Sequence, residues 1–241
     1  MIKVFLIFNF FIILFLGKNV LSLDNQYKLK ILKSNLSSPW SISFVNQNEI
    51  LISEKTGKIK LFNLTNSNIN EINHNLNFVE DGNSQGGLLE ILYHNDEIYI
   101  SYSENRGESK LYGPTSTSIA KAKFNRKNLN FKNIFRADPP IRSPYHFGSR
   151  IVIKDNHLYA SIGERGKGMI AQEADKHPGS IIRINLDGSI PKDNPKFINK
   201  PEWLPEIYQI GVRNPQGMAI SPFDNKVYIS NHGARGGDWF G

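Results

Sequence analysis

The most restrictive feature of this chain is a short strand pattern that recurs four times along it. The four copies are apolar runs closed by a serine, at Ile50–Ser53, Ile98–Ser101, Leu158–Ser161 and Val227–Ser230. A turn rich in Asn, Asp or Lys precedes each copy, and another apolar run precedes that turn. The repeated unit is therefore predicted to be a hairpin of short strands.

Further strands are expected after several of these hairpins, at Lys58–Phe62, Ile119–Phe124 and Ser180–Ile184. The first of them alternates apolar and basic residues, as a half-exposed strand does. Beyond the N-terminal segment, no sustained helical period is visible. Sheets repeated in this way favour an all-β fold of the β-propeller type, with a β-sandwich as the competing architecture.

The repeat count predicts about four blades within residues 23–241. The fourth unit is expected to lack outer strands, because the sequence stops at Asp238–Gly241, soon after its hairpin. Tyr27–Leu32 has the pattern of a strand that closes a last blade outside this sequence. We therefore expect a C-terminally truncated propeller.

The N-terminus has the pattern of a secretory signal peptide over residues 1–22. A lysine at position 3 is followed by the apolar run Val4–Leu16, and Val20–Ser22 offers a plausible cleavage site. An uncleaved N-terminal anchor is the alternative, and no other segment is long and apolar enough to span a membrane. We expect an exported protein, periplasmic or secreted, with no stable membrane span after signal removal.

The chain contains no cysteine, so an exported form is held by packing or by ligands and not by disulfides. This composition also excludes thiol catalysis, cysteine-held iron–sulfur clusters and c-type haem. The formal charge of +7 comes from scattered lysines and not from a basic tract. A nucleic-acid partner is therefore not expected.

Arg213 and Asn214 lie side by side in the run Gly211–Gly217. The guanidinium offers a planar fork of donors, and the following Pro215 disfavours helix at Asn214, so both side chains should project from a fixed loop. This pair suits a ligand rich in carboxylate or quinone oxygens. The alternative is a corner turn whose arginine caps carbonyl groups.

His146 lies where the inner strand of the third unit is expected to begin. In a propeller that position faces the central channel, where a histidine oriented by a carboxylate can take a proton near neutral pH. Glu164 could be that carboxylate if its loop approaches the loop of His146. A purely structural histidine is the alternative.

Two glycine-rich segments complete the candidate set. Gln85 precedes two glycines in the corresponding loop of the second unit, where backbone can come close to a ligand or can simply form a bulge. In the segment His232–Asp238, the backbone carbonyls could hold a hard cation such as Ca²⁺, although a flexible surface loop is equally consistent.

Taken together, these segments resemble the soluble PQQ-dependent aldose dehydrogenase family, also called glucose/sorbosone dehydrogenases. The resemblance runs in order over nearly all of the chain after residue 22. It is carried by Pro39–Ile42, Ile52–Lys58, Gln85–Leu89, His146–Arg150, Asn185–Pro195, Gly211–Gly217 and His232–Asp238.

The resemblance implies a six-bladed propeller that binds pyrroloquinoline quinone (PQQ) near the channel mouth. His146 matches the family's general base, which takes the proton of the anomeric hydroxyl of an aldose sugar while hydride passes to the cofactor. Arg213 matches the arginine at the quinone oxygen, and Gln85 and Asn214 match cofactor-binding positions. The carbonyls of Gly233 and Ala234 match those that hold a cofactor-bound Ca²⁺.

Three departures from the family pattern matter. Glu164 stands where some relatives have aspartate, and the ending Asp238-Trp-Phe differs from many relatives and leaves a second calcium site open. The later basic residues that hold the cofactor's carboxylates would lie beyond Gly241, so the isolated chain is expected to be inactive.

The function expected from the resemblance is oxidation of an aldose to its lactone, with electrons passed to an external acceptor. The first alternative is a non-catalytic extracellular propeller that binds a ligand or a protein. The second is a lactonase propeller, which would need several metal-binding carboxylates at the channel. Retention of the histidine together with the Arg–Asn pair favours the enzyme.

Overall fold

The computed structural model describes residues 28–78, 84–108, 113–196, 199 and 202–241. The predicted signal peptide, residues 1–22, lies outside this range, as does Tyr27. The strand predicted at Tyr27–Leu32 is not found in its described part, because residues 28–32 form no strand. An extended segment becomes a strand only when a neighbouring strand completes its backbone hydrogen bonds.

Four sheets follow one another along the chain, each built mainly from consecutive antiparallel strands. The first contains β1 (Pro39–Asn46), β2 (Glu49–Glu54), β3 (Lys58–Asn63) and β4 (Ile69–His74). The second contains β5 (Leu88–His94), β6 (Glu97–Asn105), β7 (Thr115–Lys123) and β9 (Lys132–Arg136). The short β8 (Asn128–Leu129) lies between β7 and β9 in the chain but pairs in parallel with β4, so it belongs to the first sheet. The third contains β10 (Gly148–Lys154), β11 (His157–Ile162), β12 (Ser180–Asn185) and β13 (Ile207–Ile210). The fourth contains β14 (Pro215–Ile220), β15 (Val227–Asn231) and β16 (Trp239–Phe240).

The first strands of successive sheets, β1, β5, β10 and β14, pack side by side, so the sheets are arranged as the blades of a propeller. Apolar residues fill the spaces between blades: Leu51, Ile91 and Ile98 belong to one core cluster, and Tyr99 and Ile151 to another. The helix in the described residues is a single 3-10 turn, Gly168–Gln172. This architecture confirms the predicted all-β propeller.

The serine of the sequence repeat joins each blade to the next. Its hydroxyl donates to a carbonyl on the first strand of the following blade in three pairs: Ser53 to Leu89 (2.5 Å), Ser101 to Ser149 (2.5 Å) and Ser161 to Pro215 (2.9 Å). All three serines are fully buried. Because a buried hydroxyl must be hydrogen-bonded, this contact accounts for the recurrence of serine at one position of the repeat.

The prediction that the fourth unit lacks outer strands is wrong in one respect. Trp239–Phe240 forms β16, which pairs with Ser230 and Asn231 of β15. Two residues are too few to show a strand period, which is why the sequence pattern missed this strand. Among the described residues, no helix has the length and hydrophobicity needed to cross a membrane.

The tight turns of the hairpins lie at one end of the blades. Asn95 and Asp96 connect β5 to β6, and Asp155 and Asn156 connect β10 to β11, all with positive φ between 49° and 60°. Asn and Asp tolerate this conformation, which two-residue hairpin turns require. The other end of the same hairpins carries the candidate functional residues.

Candidate active site

The candidate residues meet at one rim of the propeller because of the antiparallel pairing of its hairpins. The start of β10 pairs with the end of β11 through Gly148 and Ile162, and the start of β14 pairs with the end of β15 through Pro215 and Asn231. Loops before each first strand and after each second strand therefore lie at the same rim. The predicted site residues all belong to these loops.

His146 and Glu164 are in contact, as the sequence required for a paired base. The Nδ1 atom of His146 makes a short hydrogen bond with Oε1 of Glu164. Only 13% of the histidine side chain and 3% of the glutamate side chain are exposed. The second carboxylate oxygen of Glu164 accepts the N–H of Gly168 at 2.5 Å, so the carboxylate is fixed at both oxygens.

The backbone around this pair requires special conformations. His146 has a φ of +53°, which is costly for a residue with a side chain. Its carbonyl lies so close to Gly163 that a Cβ on that glycine would be 2.0 Å away. Gly163 therefore permits the loop after β11 to approach the loop before β10.

Gln85 and Asn214 hold the His146 loop from the two neighbouring blades. Oε1 of Gln85 accepts the N–H of His146 at 2.8 Å, and Oδ1 of Asn214 accepts the N–H of Gly148 at 3.0 Å. Within the described part of the chain, neither side-chain NH₂ group has a hydrogen-bond partner. Each amide thus has its oxygen occupied and its donors available to a ligand.

Arg213 joins the same group through its backbone and its side chain. Its carbonyl accepts the N–H of Glu164 at 2.8 Å, and its Nη1 donates to the carbonyl of His232 at 3.2 Å. The N–H groups of Arg213 and Asn214 both donate to Oδ1 of Asn231, at 3.1 and 3.0 Å. The guanidinium retains further donors, as recognition of an anionic or quinone oxygen would need.

The loop with the predicted calcium ligands lies next to Arg213 and is more exposed. The N–H of Gly233 donates to Oδ1 of Asp238 at 2.8 Å, and the carbonyl of Ala234 accepts the N–H of Gly237 at 3.0 Å. No cluster of three His, Asp or Glu side chains that could hold a metal ion occurs among the described residues. Any cation bound here would depend on backbone carbonyls and on ligand oxygens.

A partly buried charge pair lies on the first strands of neighbouring blades. Glu90 of β5 pairs with Nη1 of Arg150 of β10 and accepts the hydroxyl of Ser41 of β1 at 3.0 Å. Arg150 also donates from Nε to the carbonyl of Gln216 at 2.7 Å. Burial raises the pKa of Glu90, although the attraction of Arg150 opposes this change.

Sequence reasoning missed two residues that support the site. Asn231 fixes the Arg213–Asn214 loop, and its position directly after the repeat serine Ser230 was the available signal. Arg165 is 2% exposed and contacts the loop that carries His146. An arginine directly after a candidate catalytic carboxylate was visible in the sequence, but its burial was not.

Comparison with known proteins identifies the family of this chain. The family model described as Glucose / Sorbosone dehydrogenase matches residues 36–240. The curated Aldose sugar dehydrogenase YliI of Escherichia coli (strain K12) is 32% identical over 224 residues, covering 87% of this chain and 57% of that protein. Quinoprotein glucose dehydrogenase B of Acinetobacter calcoaceticus is 29% identical over 243 residues, covering 89% of this chain and 50% of that protein.

The structural comparison gives the same result. The crystal structure of the soluble aldose sugar dehydrogenase from Escherichia coli in the apo-form superposes with a TM-score of 0.79 at 30% identity. The match covers 88% of this chain and 62% of that chain. The chain spans about half the length of the curated relatives that it matches. With residues 36–240 matched, it belongs to the glucose/sorbosone dehydrogenase family.

Proposed function

We propose that the protein is a PQQ-dependent aldose dehydrogenase that oxidises the anomeric carbon of a sugar to the lactone. His146 acts as the general base. The observation that carries this proposal is the contact between Nδ1 of His146 and Glu164 at a rim where Gln85, Asn214 and Arg213 offer donors. A binding propeller would have no need for an imidazole oriented in this way.

The Glu164 contact fixes the tautomer of His146. A carboxylate accepts a hydrogen bond, so Nδ1 carries the proton and Nε2 keeps its lone pair. Within the described part of the chain, Nε2 has no hydrogen-bond partner. It can therefore take the proton of the anomeric hydroxyl, and Glu164 stabilises the imidazolium that forms.

The residues at the rim fit PQQ, whose carboxylates and quinone oxygens accept hydrogen bonds. The NH₂ groups of Gln85 and Asn214 and the guanidinium of Arg213 would hold it. When bound, PQQ supplies the acceptor for the hydride that leaves the anomeric carbon, and an external acceptor then takes the electrons. Arg213 would stabilise the negative charge that develops on the quinone oxygen.

A Ca²⁺ ion would be held by the carbonyls of Gly233 and Ala234 together with oxygens of the cofactor, and it would act as a Lewis acid. The exposure of this loop and the absence of a carboxylate cluster among the described residues make its binding dependent on PQQ. Calcium titration with and without PQQ, followed by isothermal calorimetry, tests this dependence. Tight calcium binding without PQQ would contradict it.

The test of function uses the full-length gene product, reconstituted with PQQ and Ca²⁺ and assayed by dye-linked oxidation of a panel of aldoses. His146→Ala should retain the cofactor and lose about 10²- to 10⁴-fold in kcat, the usual contribution of general base catalysis. The matched control is His94→Ala, since His94 ends β5 at the opposite end of the hairpin. If the unaltered protein shows neither cofactor-dependent absorbance nor dye reduction, the proposed enzyme function fails and a non-catalytic binding propeller is favoured.

We also propose export, on the basis of the charged and apolar pattern of residues 1–22. Cell fractionation and N-terminal sequencing of the isolated protein test it. Cleavage near Ser22 is the expected result, and a retained Met1 in a cytoplasmic fraction would contradict it.

A further inference from the structure

Arg165 is a buried cation whose hydrogen bonds go to the backbone near His146. Its Nε donates to the carbonyl of Tyr145 at 2.9 Å, and Nη2 donates to the carbonyl of Ser143. Two further bonds, both 2.9 Å long, run to the carbonyl and the hydroxyl of Thr115 on β7. The guanidinium therefore connects the loop before β10 to the second blade.

Arg165 contacts the residue before His146 and the residue after it. The residue before it is held through the Tyr145 carbonyl, and the ring of Phe147 after it lies 3.7 Å below the guanidinium. The backbone N–H of Arg165 donates to the carbonyl of His146 itself, at 3.3 Å. One residue thus holds three consecutive residues of a loop in which His146 adopts a φ of +53°.

Burying a charged guanidinium at this place costs free energy, so a side chain that only filled space here would not be an arginine. Burial lowers the pKa of Arg165 to about 9, so the side chain is still charged at neutral pH. The neighbouring Glu164 carboxylate favours that charge. The planar fork reaches carbonyls in several directions at once, which a lysine ammonium or an apolar side chain cannot do.

We propose that Arg165 is a positioning residue that holds the His146 backbone so that the imidazole meets Glu164 in the orientation of a base. Glu164 fixes the ring and Arg165 fixes the loop that carries it. This inference rests on the proposed function of His146, but the geometry it describes exists without cofactor or substrate. It can therefore be tested separately from the activity.

The first measurement is the NMR resonance of the His146 Nδ1 proton in the cofactor-free protein, where a strong bond to a carboxylate gives a far-downfield signal. Arg165→Met should move this signal upfield or broaden it beyond detection, with the circular dichroism spectrum unchanged. The matched control is Arg142→Met, because Arg142 precedes the same loop and is exposed. That variant should leave the signal in place.

The second measurement is turnover per cofactor-loaded site in the full-length protein. Arg165→Met should lower kcat by about tenfold to a hundredfold, the scale expected for a misplaced catalytic group, with PQQ affinity and KM for the sugar within about twofold. The kcat of Arg165→Lys should fall nearly as far, because lysine keeps the positive charge but lacks the planar set of donors of the guanidinium. If Arg165→Lys kept full activity, the positive charge alone would explain the loss in Arg165→Met, and the proposed positioning role would be refuted.

Thr115→Val provides a milder change if Arg165→Met does not fold, because it removes one acceptor and keeps the arginine. It should shift the Nδ1 signal in the same direction and lower kcat by a few-fold. An unchanged signal and an unchanged kcat in a folded variant would overturn the inference. If the unaltered protein oxidises no sugar, the proposed function fails, while the NMR comparison still decides the role of Arg165.

Discussion

Replacing Glu164 by glutamine provides a sharp test of the His146–Glu164 pair. The carboxylate accepts from two donors, Nδ1 of His146 and the backbone N–H of Gly168 at 2.5 Å. A glutamine has one oxygen, and the Gly168 N–H can only donate. The amide oxygen should therefore face Gly168, which turns the NH₂ group toward Nδ1 and moves the imidazole proton to Nε2.

The size of the effect follows from these two contacts. Gly168 is exposed, so the reversed amide would lose this hydrogen bond without burying an unpaired N–H group. The loss costs about 0.5–1.5 kcal/mol, so the active tautomer becomes roughly 2- to 12-fold rarer. Loss of the charged acceptor removes about 1.5–3 kcal/mol of imidazolium stabilisation, roughly another 10- to 150-fold. Together these two effects should lower kcat of Glu164→Gln by about 20- to 2,000-fold.

The assay is dye-linked sugar oxidation per cofactor-loaded site, combined with ¹⁵N NMR of the imidazole to identify the protonated nitrogen. Glu164→Asp is the control, because it keeps a carboxylate on a shorter arm and should lose less than about tenfold. The reasoning is refuted if Glu164→Gln keeps a kcat within about threefold of the unaltered protein. It is equally refuted if the aspartate and glutamine variants lose the same activity.

Two further predictions concern stability. Ser161→Ala should lower the free energy of unfolding by about 1–3 kcal/mol, because it leaves the buried carbonyl of Pro215 without this donor. Urea denaturation measures the loss. The control is Ser230→Ala, at the exposed serine of the fourth repeat, which should change the free energy of unfolding by less than about 0.5 kcal/mol. Equal losses in the two variants would refute the blade-joining role. Burial raises the pKa of the Glu90 carboxyl, so the folded state binds its proton more tightly than the unfolded state does. The contribution of Glu90 to the free energy of unfolding therefore falls as the pH rises through the raised pKa. The stability difference between Glu90→Gln and the unaltered protein should therefore depend on pH in this range, and a constant difference would contradict the prediction.

The sequence predicted the blades because their signal is local and repeated. Alternating apolar residues report burial directly, and the recurring serine reports a contact that each blade makes with the next. The loops at the rim could be proposed because the start and the end of a hairpin meet by antiparallel pairing. The strand Trp239–Phe240 was too short for such a signal.

The support of the site could not be predicted in the same way. Arg165 reaches Thr115, which lies 50 residues earlier, and no local pattern indicates that contact. Its neighbours in sequence are glycines and charged residues, which are typical of an exposed loop. The burial of its charge follows only from the packing of two blades against each other.

The separation of tight turns from the chemical rim has a practical use. Phe223, in the connection between β14 and β15 at the turn end, is 97% exposed. Because the chain has no cysteine, Phe223→Cys would create a unique thiol for a fluorophore or an electrode tether. A fluorophore or tether attached there would lie on the face opposite the candidate site.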